Sequence, residues 1–134
     1  MATTLKDDGA KIPYSQKAQR RAAEYLGRLA EDEVATVLQR RGYDVLARRL
    51  KTARGEIDLV VADEQCLVFV EVKARVSFAE ASYAVSPRQQ VRLLSAAEVA
   101  LAQHLDWARP QTRFDVALVV QDDIRIIENA LWFS

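Results

Sequence analysis

The sequence predicts an α/β domain, a mixed β-sheet flanked by helices in the order α-β-β-β-α-β-β. Three observations carry this. Two long stretches repeat apolar residues at three- and four-residue steps, the mark of a helix with one buried face. Five shorter runs are rich in Val, Ile, Leu and Phe and are bounded by Gly, Asp or Pro. At 134 residues and 50% hydrophobic content, the chain has the length for one core and not for two.

Taken in order, residues 1–16 are polar, carry Gly9 and Pro13, and read as a mobile tail ahead of a single domain, 17–134. From about Ser15 to Arg41 the residues Ala22, Tyr25, Leu26, Leu29, Ala30, Val34, Val37 and Leu38 form a helical stripe, with Gly42 as the stop. Tyr43–Ala47 is a short strand. After Arg54-Gly55, Glu56–Ala62 is a second, with Ile57, Leu59 and Val61 expected on one face. Asp63-Glu64 turns the chain into Cys66–Arg75, and three strands on short turns predict an antiparallel meander. Ser86-Pro87 opens the second helix, with Ser86 as N-cap and Gln89 placed for a capping box. Arg109-Pro110 ends it, and Phe114–Val120 and Ile124–Glu128 flank a hairpin turn at Gln121-Asp122-Asp123.

Nineteen basic and nineteen acidic residues balance, so net charge makes no case for a polyanionic partner. One cysteine, Cys66, excludes an internal disulfide and a multi-cysteine metal site. No apolar run approaches the roughly 20 residues of a membrane span. The N-terminus lacks the apolar core of a signal peptide, so the cytoplasm is the expected compartment. Charge is unevenly spread: residues 1–54 hold 12 basic and 7 acidic side chains, and residues 55–134 hold 7 and 12. Arg40, Arg41, Arg48, Arg49, Lys51 and Arg54 concentrate the excess. Such a patch can seat a phosphate backbone, although a solvated helix end would carry the same residues.

Charge also sits inside strands that otherwise read as core. In Val68–Arg75 the valines point one way, and Glu71, Lys73 and Arg75 point the other, with Phe69. Glu56 and Asp58 share a face of the preceding strand. If the two strands pair through the turn at Asp63-Glu64, Asp58 and Glu71 converge beside Lys73. Two carboxylates on rigid strands suit a hard cation such as Mg²⁺ or Mn²⁺, and an adjacent ammonium can offset charge on a phosphoryl group. A solvent-facing strand with a cross-face ion pair would show the same alternation.

Asp58 followed by Glu71-Val72-Lys73 resembles the Asp…(Asp/Glu)-x-Lys signature of the PD-(D/E)XK nuclease superfamily. The fuller match is to the YraN family, small bacterial proteins similar in fold to archaeal Holliday-junction resolvases. It is carried by Gly27–Glu31, Arg41-Gly42-Tyr43, Gly55–Leu59, Phe69–Arg75, Ala84-Val85, Arg113–Val116 and Glu128-Asn129-Ala130. The resemblance implies a restriction-endonuclease-like sheet. It also implies a metal held by Glu31, Asp58, Glu71 and the Val72 carbonyl, with Asp58, Glu71 and Lys73 as the catalytic set. Glu56 would stand behind these acids, and Arg75 beside Lys73 could clamp a phosphate.

Three positions depart from the family pattern: Gln89 stands where a lysine is usual, Ala79 for a glycine and Arg49 for an asparagine. Gln89 and its neighbour Gln90 are retained as candidate nucleic-acid contacts, with Arg88 and Arg92 near enough to supply the missing charge. The expected activity is Mg²⁺- or Mn²⁺-dependent cleavage of DNA, including branched DNA. The alternative is a nuclease-like fold used only to bind nucleic acid or a protein. A two-fold symmetric substrate would favour a homodimer, for which the apolar end Ala130–Phe133 is a candidate surface, although capping the core is the reading preferred for that segment. Asp115 reads as a structural partner of Arg113.

Overall fold

The computed structural model describes residues 8–77 and 85–130, with side chains from Ser15 onward. Its order is α1 (Asp8–Arg40), β1 (Asp44–Thr52), β2 (Gly55–Ala62), β3 (Cys66–Ala74), α2 (Pro87–Gln103), a single 3₁₀ turn, β4 (Gln111–Val120) and β5 (Asp123–Ile127). The predicted order holds. One five-stranded sheet runs β1-β2-β3-β4-β5. The first three strands form the expected antiparallel meander, β4 returns parallel to β3 through α2, and β5 closes as a hairpin. The sheet is therefore mixed, with β3 at its centre.

The two helices cover opposite faces. Ala30, Val34, Ala35 and Leu38 of α1 pack on Leu59, Val61, Val68, Val70, Ala117 and Val119. On the other face, Leu93, Ala96, Ala97 and Ala100 of α2 pack on Ile57, Val60, Leu67 and Phe69. Covered on both sides, β3 is buried from Cys66 to Val70, which is why that run is almost continuously apolar. Each fully buried Val, Leu or Phe there contributes about 1.5–3 kcal/mol from removing its side chain from water.

Local chemistry sets the ends. Gly42, at φ +98, closes α1. Tyr43 N–H reaches Leu38 O at 3.1 Å and Gly42 N–H reaches Gln39 O at 3.0 Å, the paired bonds that satisfy the last carbonyls of a helix. At α2 the reciprocal cap forms as read: Gln89 N–H donates to Ser86 Oγ at 3.2 Å, and Ser86 N–H donates to Gln89 Oε1 at 3.0 Å.

Three expectations change. Helix α1 begins at Asp8 and includes both Gly9 and Pro13, so the expected tail, 1–16, overlaps it from Asp8 onward; residues 1–7 lie outside the described residues. Strand β1 runs on to Thr52 because the charged run Arg48–Lys51 pairs with Glu56–Leu59 across the hairpin. Ile57 does not share a face with Leu59 and Val61: it packs with Val60 and Ala62 under α2, while those two lie under α1. The alternation slips at Asp58. Opposite it stands Arg49, at φ +51, in a strand already carrying a bulge between Val45 and Ala47. A left-handed residue and a bulge both rotate the side chains that follow.

Candidate functional site

The slip in alternation lies where the acidic residues gather. The β2–β3 ladder ends at the Leu59–Val70 pair. One step further Asp58 and Glu71 stand opposite each other, and Asp58 Oδ2 accepts the Val72 N–H at 2.8 Å. A side chain thus takes over a main-chain donor where the backbone ladder stops, fixing the Asp58 carboxyl against β3. Lys73 Nζ lies 3.1 Å from Glu71 Oε2, with both side chains 14% exposed. Glu31 approaches from α1, its carboxylate 3.9 Å from Arg49 Nε.

The electrostatics follow from crowding. Burial and the neighbouring Glu71 carboxylate push the Asp58 carboxyl up to about 7, against the lowering effect of the Val72 N–H. Burial also raises Glu31; Arg49 opposes this, and Glu56, Asp32 and Glu71 add to it. Each acid therefore feels the others, and Lys73 and Arg49 do not balance Glu31, Glu56, Asp58 and Glu71. Burial first, and the Glu71 carboxylate second, disfavour the ionised form of Asp58.

Among the described residues, no three His, Cys, Asp or Glu side chains converge as a ready-made metal cage. The donor set nonetheless fits a hard divalent cation. Such ions are often held by one or two carboxylates, with water filling the remaining positions. Asp58 Oδ1 and Glu71 could supply them, with Glu31 facing the pair. A cation held there would offset the burial and the Glu71 repulsion that raise Asp58.

The predicted basic patch is divided. Arg48, Arg49, Lys51 and Arg54 lie on the β1–β2 hairpin at the carboxylate end of the sheet. Arg40 and Arg41 lie at the far end of α1, roughly 14 Å along the helix from Glu31. Arg48 is engaged with Asp32 at 2.8 Å on the surface. Arg75 Nη1 donates to the Ala74 carbonyl at 2.7 Å. Gln89 is committed to its cap. Gln90 is 1% exposed, its Nε2 near Val85 O and its Oε1 without a partner, so it is withdrawn from the surface a nucleic acid would meet. Arg92 lies at the hairpin: its Cγ is 3.0 Å from where a Cβ on Gly55 would stand, and Gly55 has φ +139. Ala79 and Leu131–Phe133 lie outside the described residues.

Asp115 is structural, as read. It is fully buried, accepts Arg113 Nε at 2.8 Å and Nη2 at 2.9 Å, and takes the Asn129 N–H at 2.9 Å. Arg113 also reaches Tyr43 Oη at 3.0 Å, tying β4 to the turn after α1 and to the end of β5.

With this geometry in place, similarity to known proteins is informative. A family model described as "Uncharacterised protein family UPF0102" matches residues 30–119. The chain belongs to UPF0102. This is the YraN family to which the motifs pointed. UPF0102 relatives include a UPF0102 protein of Acidiphilium cryptum, 54% identical over 113 residues, covering 84% of this chain and 88% of that one. UPF0102 protein RPA0323 of Rhodopseudomonas palustris is 49% identical over 98 residues, covering 73% and 75%. UPF0102 protein bll0669 of Bradyrhizobium diazoefficiens is 43% identical over 114 residues, covering 85% and 86%. The UPF0102 match contains Glu31, Asp58, Glu71 and Lys73, and it starts after most of α1. No helix among the described residues is long and apolar enough to cross a membrane.

Proposed function

We propose that this UPF0102 protein hydrolyses phosphodiester bonds in DNA with a divalent cation, Mg²⁺ or Mn²⁺. The observation that carries the reading is the Asp58–Glu71 pair at the end of the β2–β3 ladder, with Lys73 beside it. A bound cation supplies Lewis acidity toward a phosphoryl oxygen and makes water a stronger nucleophile near neutral pH. Asp58, held by the Val72 N–H, and Glu71 would provide its fixed ligands, and Glu31 a third carboxylate from α1. Lys73 orients Glu71 in the free protein and offers its ammonium to the charge that builds on the phosphorus oxygens. Arg49, Lys51, Arg54 and Arg92 place cations around the hairpin to seat a backbone, giving salt-dependent affinity with little sequence preference.

A second reading, a nuclease-like domain that binds nucleic acid or a protein without cutting, draws on Gln89. Its side chain caps α2 and brings no charge to that position. The two readings separate in one experiment: labelled duplex and four-way-junction DNA incubated with Mg²⁺ or Mn²⁺, using the natural chain and Asp58→Ala and Glu71→Ala. Cleavage by the natural chain alone, with binding retained in both variants, is the expected result. Equal cleavage by all three would refute the site, and binding without cleavage would favour the second reading.

A further inference from the structure

Helix α1 is much longer than the sheet it covers. It has 33 residues; among those whose side chains are described the buried ones are Ala30, Val34, Ala35 and Leu38, and no residue from Ser15 to Leu29 is buried. Leu26 and Leu29 border a cleft with Ala74 and Val119 at the ends of β3 and β4. Residues 8–25 therefore run past the carboxylate end of the sheet, roughly 27 Å at 1.5 Å per residue. This overhang lies outside the segment that the family model matches.

Its charge is directional. Arg28, Arg21, Arg20 and Lys17 precede Glu31 by 3, 10, 11 and 14 residues. At about 100° per residue all four fall within about 80° of Glu31 around the helix. The side of α1 that turns Glu31 toward Asp58 and Glu71 thus continues outward as a basic line, interrupted by Glu24 alone. Among the described residues no ion pair engages these four cations, whereas Arg48 and Arg49 are paired with acids of α1. The apolar residues Ala22, Tyr25, Leu26 and Leu29 fall on a different side of the helix.

We propose that the α1 overhang is a phosphate-tracking arm, which lies along the backbone of double-stranded nucleic acid running away from the carboxylate site. This rests on the nucleic-acid reading above and adds the substrate's extent: Lys17 to Arg28 span roughly 17 Å of helix, a duplex flank of about five base pairs at 3.4 Å each on the α1 side. An acidic membrane is the rival occupant. The alignment of these cations with Glu31 favours a ligand that reaches the site itself, which a bilayer surface would not do.

The test compares the full chain with a Lys17→Gln, Arg20→Gln, Arg21→Gln, Arg28→Gln variant on a fluorescent 24-base-pair duplex across a salt series in EDTA. Glutamine keeps helix propensity, and circular dichroism checks the fold. Each phosphate contact adds about 0.9 to the slope of log affinity against log salt. The variant should lose at least about 2 of that slope and bind about tenfold more weakly, and a variant exchanging Lys and Arg at the same four sites should bind like the natural chain. Normal binding by the glutamine variant would overturn the arm while leaving the nuclease reading intact. So would loss of binding to phosphatidylglycerol vesicles with DNA affinity unchanged. No DNA binding by the natural chain would overturn both.

Discussion

Replacing Asp58 by Asn should make this protein more stable at alkaline pH while disabling its candidate site. In the folded chain the Asp58 carboxyl sits near pH 7 instead of its ordinary 3.8. Below 3.8 both folded and unfolded chains hold the proton. Between 3.8 and about 7 only the folded chain does, so stability falls by about 1.4 kcal/mol per pH unit, and above about 7 the loss is complete. Roughly three units set a ceiling of about 4 kcal/mol. The site can relax, so a gain of about 1–3 kcal/mol at pH 8 is the working figure. Asparagine keeps an oxygen for the Val72 N–H, cannot ionise, and presents an amide donor to Glu71. Urea denaturation at pH 4.5 and pH 8 reads the difference: a small gain at the lower pH and the full gain at the higher. A variant less stable than the natural chain at pH 8, or a gain independent of pH, would refute the reasoning. Stability given up at a functional site is the usual trade in such pockets.

Other substitutions probe the scaffold. Asp115→Ala leaves Arg113 without its buried partner and should cost about 3–5 kcal/mol in urea denaturation; a loss under 1 kcal/mol would contradict the role assigned to that pair. Gly55→Ala forces a side chain into φ +139 and against Arg92, so a loss of more than about 1 kcal/mol is expected, measured as a fall in melting temperature. Ser86→Ala removes half of the α2 cap and should cost about 1 kcal/mol while leaving DNA affinity unchanged.

What was legible in the sequence was what is written locally. Ser86-Pro87 with Gln89 announces a cap because its bonds span three residues, and Gly42 announces a helix end because it relieves a left-handed turn. The Asp58–Glu71 opposition was readable once the Asp63-Glu64 turn fixed the strand register. The slip of faces at Ile57 was not: it coincides with a left-handed Arg49 across the hairpin, and no residue type marks that conformation for arginine. The division of the basic patch was hidden for a different reason. Arg41 and Arg48 are seven residues apart, yet the turn at Gly42 starts a strand that carries Arg48 back toward Glu31, leaving Arg41 behind. Gln90 shows a third limit: its neighbour's cap turns it inward, a consequence of helix phase that polarity alone misreports. The basic line on α1 was available from helical spacing, but it acquires meaning only when Glu31 is seen to face the carboxylates.

A divalent cation bound by Asp58 and Glu71 should displace the proton that burial and Glu71 favour on Asp58. Calorimetric titration of Mn²⁺ at pH 6.5, in buffers of different ionisation enthalpy, measures both binding and proton release. The natural chain should bind one ion with release of a fraction of a proton that vanishes by pH 8.5, and Glu71→Gln should bind none at that site. Binding unchanged in Glu71→Gln, or no binding by the natural chain at any pH from 6 to 9, would contradict the claim.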